Sequence, residues 1–237
     1  MSLADRVVLI TGATGGLGRV ATTRFAAEGA RLALAGTDRG RLEALAAEIG
    51  LKPDRWTGAV GDLREADDAR RVVAEAAKRL GPVDVVLHCV GGWTGGKTVV
   101  ELDPEDLRSM LDQHLWTTLN VARAVVPSMT ERGWGRIVAV SSPFASTPGA
   151  RMSAYGVAKA GEEVLLGSLA REVGASGVTA NLLVVRKIDV EHARETEPSD
   201  KNRSWTTPEE IANAMVFLSS DESAAINGAR IPLYNRD

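Results

Sequence analysis

Apolar residues recur along this chain in two alternating patterns. Short β-branched runs read as strands: Val7–Ile10, Arg31–Ala35, Trp56–Val60, Val83–Val90, Arg136–Ser141 and Thr179–Val185. Between them lie stretches with helical period. Arg19–Glu28 follows the first strand, and Arg41–Ile49 puts Leu42, Leu45, Ala46 and Ile49 on one face. Ala66–Leu80 is a helix stopped by Gly81-Pro82, Pro104–Met129 holds helical segments, and Ser153–Val173 is one long helix. The nearly unbroken apolar character of Val83–Val90 predicts a strand buried on both faces. Strands separated by helices predict a doubly wound α/β fold with a parallel sheet and right-handed crossovers. No internal repeat and no linker interrupts the pattern, so a single domain over 1–237 is expected.

One segment stands apart. Arg186–Ser204 is polar and charged, contains Pro198, and follows the strand Thr179–Val185. Ligands of open α/β sheets bind at the carboxyl ends of the strands. Two readings are open for it: a mobile substrate lid, or a solvated surface loop.

Composition narrows the function. The chain has 237 residues, 44% of them apolar, and a net charge of −3 with no basic block, so nucleic-acid binding has no electrostatic support. A single cysteine, Cys89, excludes an internal disulfide and fits a reducing cytoplasm. Residues 1–10 lack the apolar core of a signal peptide, and no run approaches the ~18 apolar residues of a membrane span. No metal is expected.

Val7–Ile10 runs directly into Thr11-Gly12-Ala13-Thr14-Gly15-Gly16-Leu17-Gly18, and a helix follows. Gly12 suits a tight turn, Gly16 a close approach of backbone to phosphates, and Gly18 close packing of helix on strand. The free N–H groups at that helix start would face a pyrophosphate. The loop residues Gly12, Thr14, Gly15, Gly16, Leu17 and Gly18 are therefore expected to bind a dinucleotide; a plain strand–turn–helix is the alternative. At the tip of the second strand, Gly36 stands where an acid would hold the ribose diol of NAD. Thr37 offers a hydroxyl there, Arg39 a cation, and Asp38 comes slightly late. NADP(H) is expected, with NAD the alternative.

Tyr155 precedes Lys159 by four residues and shares a helix face with it; Ser142 lies thirteen residues before Tyr155. A phenol alone is a poor acid–base near neutral pH. A neighbouring ammonium and an oxidised nicotinamide both favour the phenolate. Tyr155 would then exchange a proton with a carbonyl or alcohol oxygen, Ser142 would donate a hydrogen bond to that oxygen, and the cofactor would carry the hydride.

Together these residues resemble the short-chain dehydrogenase/reductase family. The likeness covers essentially the whole chain, through Thr11–Gly18, Asp62-Leu63, Val83–Gly91, Ser142, Tyr155/Lys159, Asn181 and Asn227-Gly228. It implies a Rossmann-like single domain, an NAD(P) cofactor, and a homodimer or homotetramer. By the same resemblance, Asp62 and Leu63 would contact the adenine, Val90 and Gly91 the cofactor, Lys159 the nicotinamide ribose, and the backbone at Ile188 the carboxamide.

The chain departs from the family pattern in three places. His88-Cys89-Val90-Gly91 replaces Asn-Asn-Ala-Gly; Cys89 reads as a small buried filler. His114 takes the position of an Asn that shapes a proton path, where it either relays protons or packs; Asn120 is nearby but out of register. Val185-Arg186 replaces Pro-Gly after the sixth strand. A narrower likeness, to dihydropteridine reductases, lies in Cys89–Gly96, Leu115–Thr118, Tyr155–Lys159 and Ser204–Pro208. It implies a flat pterin flanked by an indole such as Trp93; loop anchoring is the other reading of Trp93 and Trp205. Those enzymes generally lack the serine and prefer NADH, whereas Ser142 is present here. The expected function is an NADP(H)-dependent oxidoreductase for a small carbonyl or alcohol substrate. Its alternatives are a pterin reductase and a cofactor-binding sensor or scaffold without turnover.

Overall fold

The computed structural model describes residues 3–234. Seven parallel strands form one sheet: β1 (Val7–Thr11), β2 (Arg31–Gly36), β3 (Trp56–Val60), β4 (Val85–His88), β5 (Gly135–Ser141), β6 (Val178–Val184) and β7 (Arg230–Pro232), in the order β3-β2-β1-β4-β5-β6-β7. The chain leaves β1 toward one side of the sheet and returns at β4 on the other, so the carboxyl ends of β1 and β4 flank a crevice. In register, Thr11 stands beside Ala35 and His88.

Alternation along the strands splits the core in two. Val7, Leu9, Ala33 and Ala35 face α3 (Ala66–Leu80), α5 (Thr117–Glu131) and α6 (Ser153–Glu172). Val8, Ile10, Leu32 and Leu34 face α1 (Gly16–Ala27), α2 (Arg39–Ile49) and α8 (Pro208–Leu218). Local signals set the helix ends. Asp38 caps α2 by accepting from the Arg41 amide at 3.1 Å. Asp67 and Asp68 open α3 while Lys78 and Arg79 close it, complementing the helix dipole.

The predicted elements are present, with shifted ends. The helix expected from Arg19 begins at Gly16. The strand expected over Val83–Val90 keeps only Val85–His88, because Asp84 turns its carboxylate to the Val7 amide and Arg132. The helical stretch from Pro104 is three runs: α4 (Pro104–Leu111), a π-helical turn (Asp112–Trp116), then α5. Besides a short helix within the 186–204 segment, two elements escaped the pattern. Helix α8 starts with a capping box of Thr207 and Glu210, a legible signal. Strand β7 is only three residues long and ends in proline. It is held by Asn181, which donates to Ile226 O and accepts from the Ala229 amide.

The 186–204 segment carries structure of its own. Ile188 pairs with Thr206, Asp189 caps the short helix α7 (Ala193–Thr196), and Arg194 reaches Trp205 O and Glu210. No helix among the described residues is long and apolar enough to cross a membrane.

A very close backbone approach lies at the first turn. Gly12 has φ +63°, and a Cβ on Gly18 would sit 2.2 Å from Gly12 O. Gly18→Ala should therefore force α1 off β1, costing about 1–3 kcal/mol. Urea denaturation of the two proteins checks this; an unchanged midpoint would contradict it.

Candidate active site

A cleft of about 840 Å³ opens beyond β4, β5 and β6. Tyr155, Lys159 and His114 share its wall with Leu17, Val90, Gly91 and Ile188. A second pocket of about 340 Å³ lies at the tips of β1, β2 and β3, lined by Gly12, Thr14, Thr37, Asp62, Leu63 and Arg64 among others. Val90 borders both, so the two form one extended groove across the crevice.

The glycine turn ends this groove. Helix α1 has no side-chain cap, because Gly15 occupies that position, and its first N–H groups are left for a ligand. Val190 borders Gly16: a Cβ there would meet the valine side chain at 2.7 Å. In the smaller pocket, Arg64 grips Asp62 with two nitrogens, and its guanidinium holds that carboxyl below the usual range. Asn120, out of register for the proton path, instead donates to Leu63 O and Arg64 O and braces this wall. Thr37 lines the pocket. Asp38 is engaged as a helix cap, and Arg39 bonds Gly58 O and Glu75, not the pocket.

Around the cleft, Lys159 is 4% exposed. Its Nζ donates to Val140 O at 2.7 Å and to Glu162 Oε2 at 2.5 Å. Glu162, fully buried, is the residue that sequence reasoning missed. Its signal was an acid inside the apolar stripe of α6, among Ala154, Ala158 and Leu166. Burial pushes its carboxyl above the usual carboxylate range, against the opposing pull of Lys159.

His114 lies in the π-helical turn, 2% exposed, with its ring edge-on to Tyr155 at 5.5 Å between centroids. Its Nε2 sits 2.9 Å from Gly92 O, an acceptor only, so Nε2 carries the proton and Nδ1 is a bare lone pair. Among the described residues Nδ1 has no hydrogen-bond partner. Burial, with the charge of Lys159, pushes this imidazole down to about 3, so it is neutral at physiological pH.

Ser142 is not brought to the cleft surface. It is fully buried, its Oγ accepts from the Phe144 amide at 3.4 Å, and its neighbours Val140 and Phe144 line the wall instead. The reason is local: Ser142 caps the short 3₁₀ turn Pro143–Ala145. At the Val185-Arg186 departure, the Val185 amide donates to Ser141 O and Ile188 reaches the cleft. Arg186, Lys187 and Lys201 line the mouth with no carboxylate among the lining residues. Lys187 stacks on Trp205 at 3.6 Å, so Trp205 anchors the loop, while Trp93 is 61% exposed at the rim. Cys89, half-buried on the cleft wall, is a thiol and not a thiolate: burial pushes it up to about 12. No group of three His, Cys, Asp or Glu side chains among the described residues is placed to hold a metal.

His88 ties the site together. Its Nδ1 lies 3.1 Å from Thr11 Oγ1 and its Nε2 3.1 Å from Thr117 Oγ1. Burial, reinforced by the positive charges of Lys159 and a protonated His114, pushes it down to about 3. An unfolded histidine binds its proton near pH 6.5. Between that pH and about 3 the unfolded chain therefore holds more protons, and stability falls as pH falls. Each of the two buried histidines should contribute a slope of about 1.4 kcal/mol per pH unit. His88→Asn should remove about half of that dependence in denaturation from pH 7 to 4; parallel curves would contradict it.

Comparison with known proteins agrees with this geometry. The short chain dehydrogenase family matches residues 6–201. An acetoacetyl-CoA reductase of Allochromatium vinosum is 30% identical, covering 96% of both chains. The (2S)-[(R)-hydroxy(phenyl)methyl]succinyl-CoA dehydrogenase subunit BbsC of Thauera aromatica is 32% identical, over 94% of this chain and 90% of that protein. A crystal structure of a short chain dehydrogenase from Bacillus anthracis superposes with a TM-score of 0.88 at 28% identity, covering 98% of this chain and 96% of that one. The extended groove, with Tyr155 and Lys159 on one wall, thus lies in a chain that belongs to the short-chain dehydrogenase/reductase family of NAD(P)-dependent oxidoreductases.

Proposed function

We propose that this protein is an NADP(H)-dependent reductase or dehydrogenase of a small carbonyl or alcohol substrate, with Tyr155 as its general acid–base. The observation that carries this reading is the placement of Tyr155, Lys159 and neutral His114 in one cleft continuous with the pocket at the β1 and β2 tips. The residues fit the cofactor: the turn at Gly12 and Gly18 is a cradle that a Cβ would fill, and α1 ends there without a side-chain cap. Gly12, Thr14, Gly15, Gly16, Leu17 and Gly18 would hold the phosphates, Thr37, Asp62, Leu63 and Val90 the adenosine half, and Lys159, Gly91 and Ile188 the nicotinamide half. When bound, the nicotinamide supplies or accepts the hydride.

The chain's own groups handle the proton. Tyr155 gives it to the substrate oxygen or takes it back. Ser142 would have to turn its hydroxyl from the Phe144 amide to reach that oxygen, whereas Tyr155 already lines the cleft. The unpartnered Nδ1 of His114, on a ring edge-on to Tyr155, leaves a lone pair free to accept a hydrogen bond behind that tyrosine. NADP is favoured because, among the described residues, the carboxylates near Thr37 are engaged: Asp38 caps a helix and Asp62 is locked to Arg64. The cationic mouth favours a substrate with an anionic group. The indole of Trp93, exposed at the rim, supports the second reading, a flat pterin as substrate. Exposed Trp116, Val157 and Val164 offer apolar surface for the proposed homodimer or homotetramer. A cytoplasmic setting suits the single cysteine.

Tyr155→Phe should lower turnover by about 10²–10⁴-fold with cofactor affinity nearly unchanged. The assay is NADPH and NADH oxidation against β-ketoacyl thioesters, quinonoid dihydropterin, ketones, aldehydes and quinones. A Phe variant as active as wild type would overturn the assignment, and cofactor binding with no turnover on any substrate would favour a sensor. Thr37→Asp should move preference toward NADH by roughly tenfold, or about 1.4 kcal/mol, since a carboxylate repels the 2′-phosphate. An unchanged ratio of kcat/KM values would place the discriminating residue elsewhere.

A further inference from the structure

We infer that Glu162 is a positioning residue that holds Lys159 in its working place as a neutral carboxylic acid, and so leaves the charge of Lys159 uncancelled beside Tyr155. The inference rests on the reading of Tyr155 and Lys159 as the proton-handling pair.

Thr118 Oγ1 lies 2.7 Å from His114 O and 3.1 Å from Glu162 Oε1. A hydroxyl has one proton, and a carbonyl oxygen can only accept. The shorter contact takes that proton to His114 O. Glu162 Oε1 is then satisfied only if it carries a proton itself and donates to Thr118 Oγ1. Its other oxygen, Oε2, accepts from Lys159 Nζ at 2.5 Å. Val140 O accepts a second Lys159 N–H, leaving one of the three for the cleft that Lys159 lines. Every polar atom in the chain His114 O, Thr118, Glu162, Lys159, Val140 O is paired in this arrangement.

The surroundings favour it. Glu162 is 0% exposed, and burial disfavours its charged form. Glu163, on the same helix, adds a like charge and is itself tied to Ser141 and Arg230. From α5 only the hydroxyl of Thr118 meets the carboxyl. From β5 the Val140 carbonyl meets Lys159. His88 on β4 and His114 in the π-helical turn, on which the charge of Lys159 acts, are held neutral chiefly by burial. Lysine is thus the one cation of this buried group. An ammonium favours a nearby phenolate, whereas an ammonium cancelled by a carboxylate does so far less. As pH rises through the elevated titration of Glu162, the acid loses its proton and that advantage is lost.

Glutamine reproduces the neutral acid: its amide N–H₂ donates to Thr118 and its carbonyl accepts from Lys159. Glu162→Gln should therefore keep kcat within about threefold of wild type at the acid end of the profile and exceed it as pH rises. Glu162→Leu, which removes the acceptor, should lower kcat roughly ten- to a hundredfold with a smaller change in KM. A Gln variant as impaired as Leu would mean that the carboxylate charge is required, and a Leu variant equal to wild type would mean that Lys159 needs no holder; either overturns the proposal. An independent readout needs neither substrate nor a variant. Infrared difference spectra of the wild-type protein between neutral and alkaline pH should show the C=O stretch of a buried protonated carboxyl disappearing. Absence of that band overturns the proposal even if Tyr155 proves catalytic. Its presence with no turnover on any substrate would leave the neutral acid standing and sink the reductase reading instead.

Discussion

The structure hangs on a short line of buried hydrogen bonds at the carboxyl ends of β1 and β4. The Cys89 amide donates to Thr11 Oγ1, and Thr11 lies against His88 Nδ1. His88 Nε2 lies against Thr117 Oγ1, which donates to Gln113 O in the π-helical turn. Because Thr117 spends its proton on a carbonyl, His88 must donate from Nε2 and accept at Nδ1 from Thr11. The line closes only around a neutral imidazole, and the burial that depresses its proton affinity provides one. It fixes β1, β4 and the start of α5 to one another. The crevice between the two strands therefore has rigid walls.

The π-helical turn is the next consequence. Thr117 anchors its far end, and the wide turn brings His114 inward against Gly92 O and the Tyr155 ring. Such turns recur at functional sites because they redirect one or two side chains without ending the helix. The residue behind His114, Thr118, then reaches Glu162 on α6, and through it Lys159. Two threonines in succession thus link the sheet to the side chains of the cleft: one meets His88, the other Glu162.

Charge is distributed unevenly around this frame. The interior of the site holds one ammonium against a carboxyl and two imidazoles whose charged forms burial disfavours. The mouth holds Arg186, Lys187 and Lys201. Among the described residues the acids nearest the groove are occupied: Asp62 by Arg64, Asp38 by a helix N-terminus, Asp189 by the start of α7. An anionic cofactor would meet cations there, and Lys159 lines the same cleft.

How much of this the sequence determined follows from the range of each interaction. Strand and helix identity came from periodicity, a local property, so six of the strands and the helices through α6 were legible from Val7–Ile10 onward. The glycine turn and the Tyr155/Lys159 pair were legible because their spacings are fixed by a single turn and a single helix face. Strand β7 was not, since three residues carry no period and Asn181 holds them from 49 residues upstream of Arg230. Ser142 was read toward the cleft from its spacing, but the tight 3₁₀ turn after it decides where its hydroxyl goes. The two readings of His114 could not be separated along the chain, because its tautomer is set by Gly92 O, a partner 22 residues away. Glu162 looked like one charge among many on a long helix. Only packing of α5 against α6 shows that it is buried, that Thr118 faces it, and that Lys159 donates to it, since burial and hydrogen-bond pairing are properties of the assembled core.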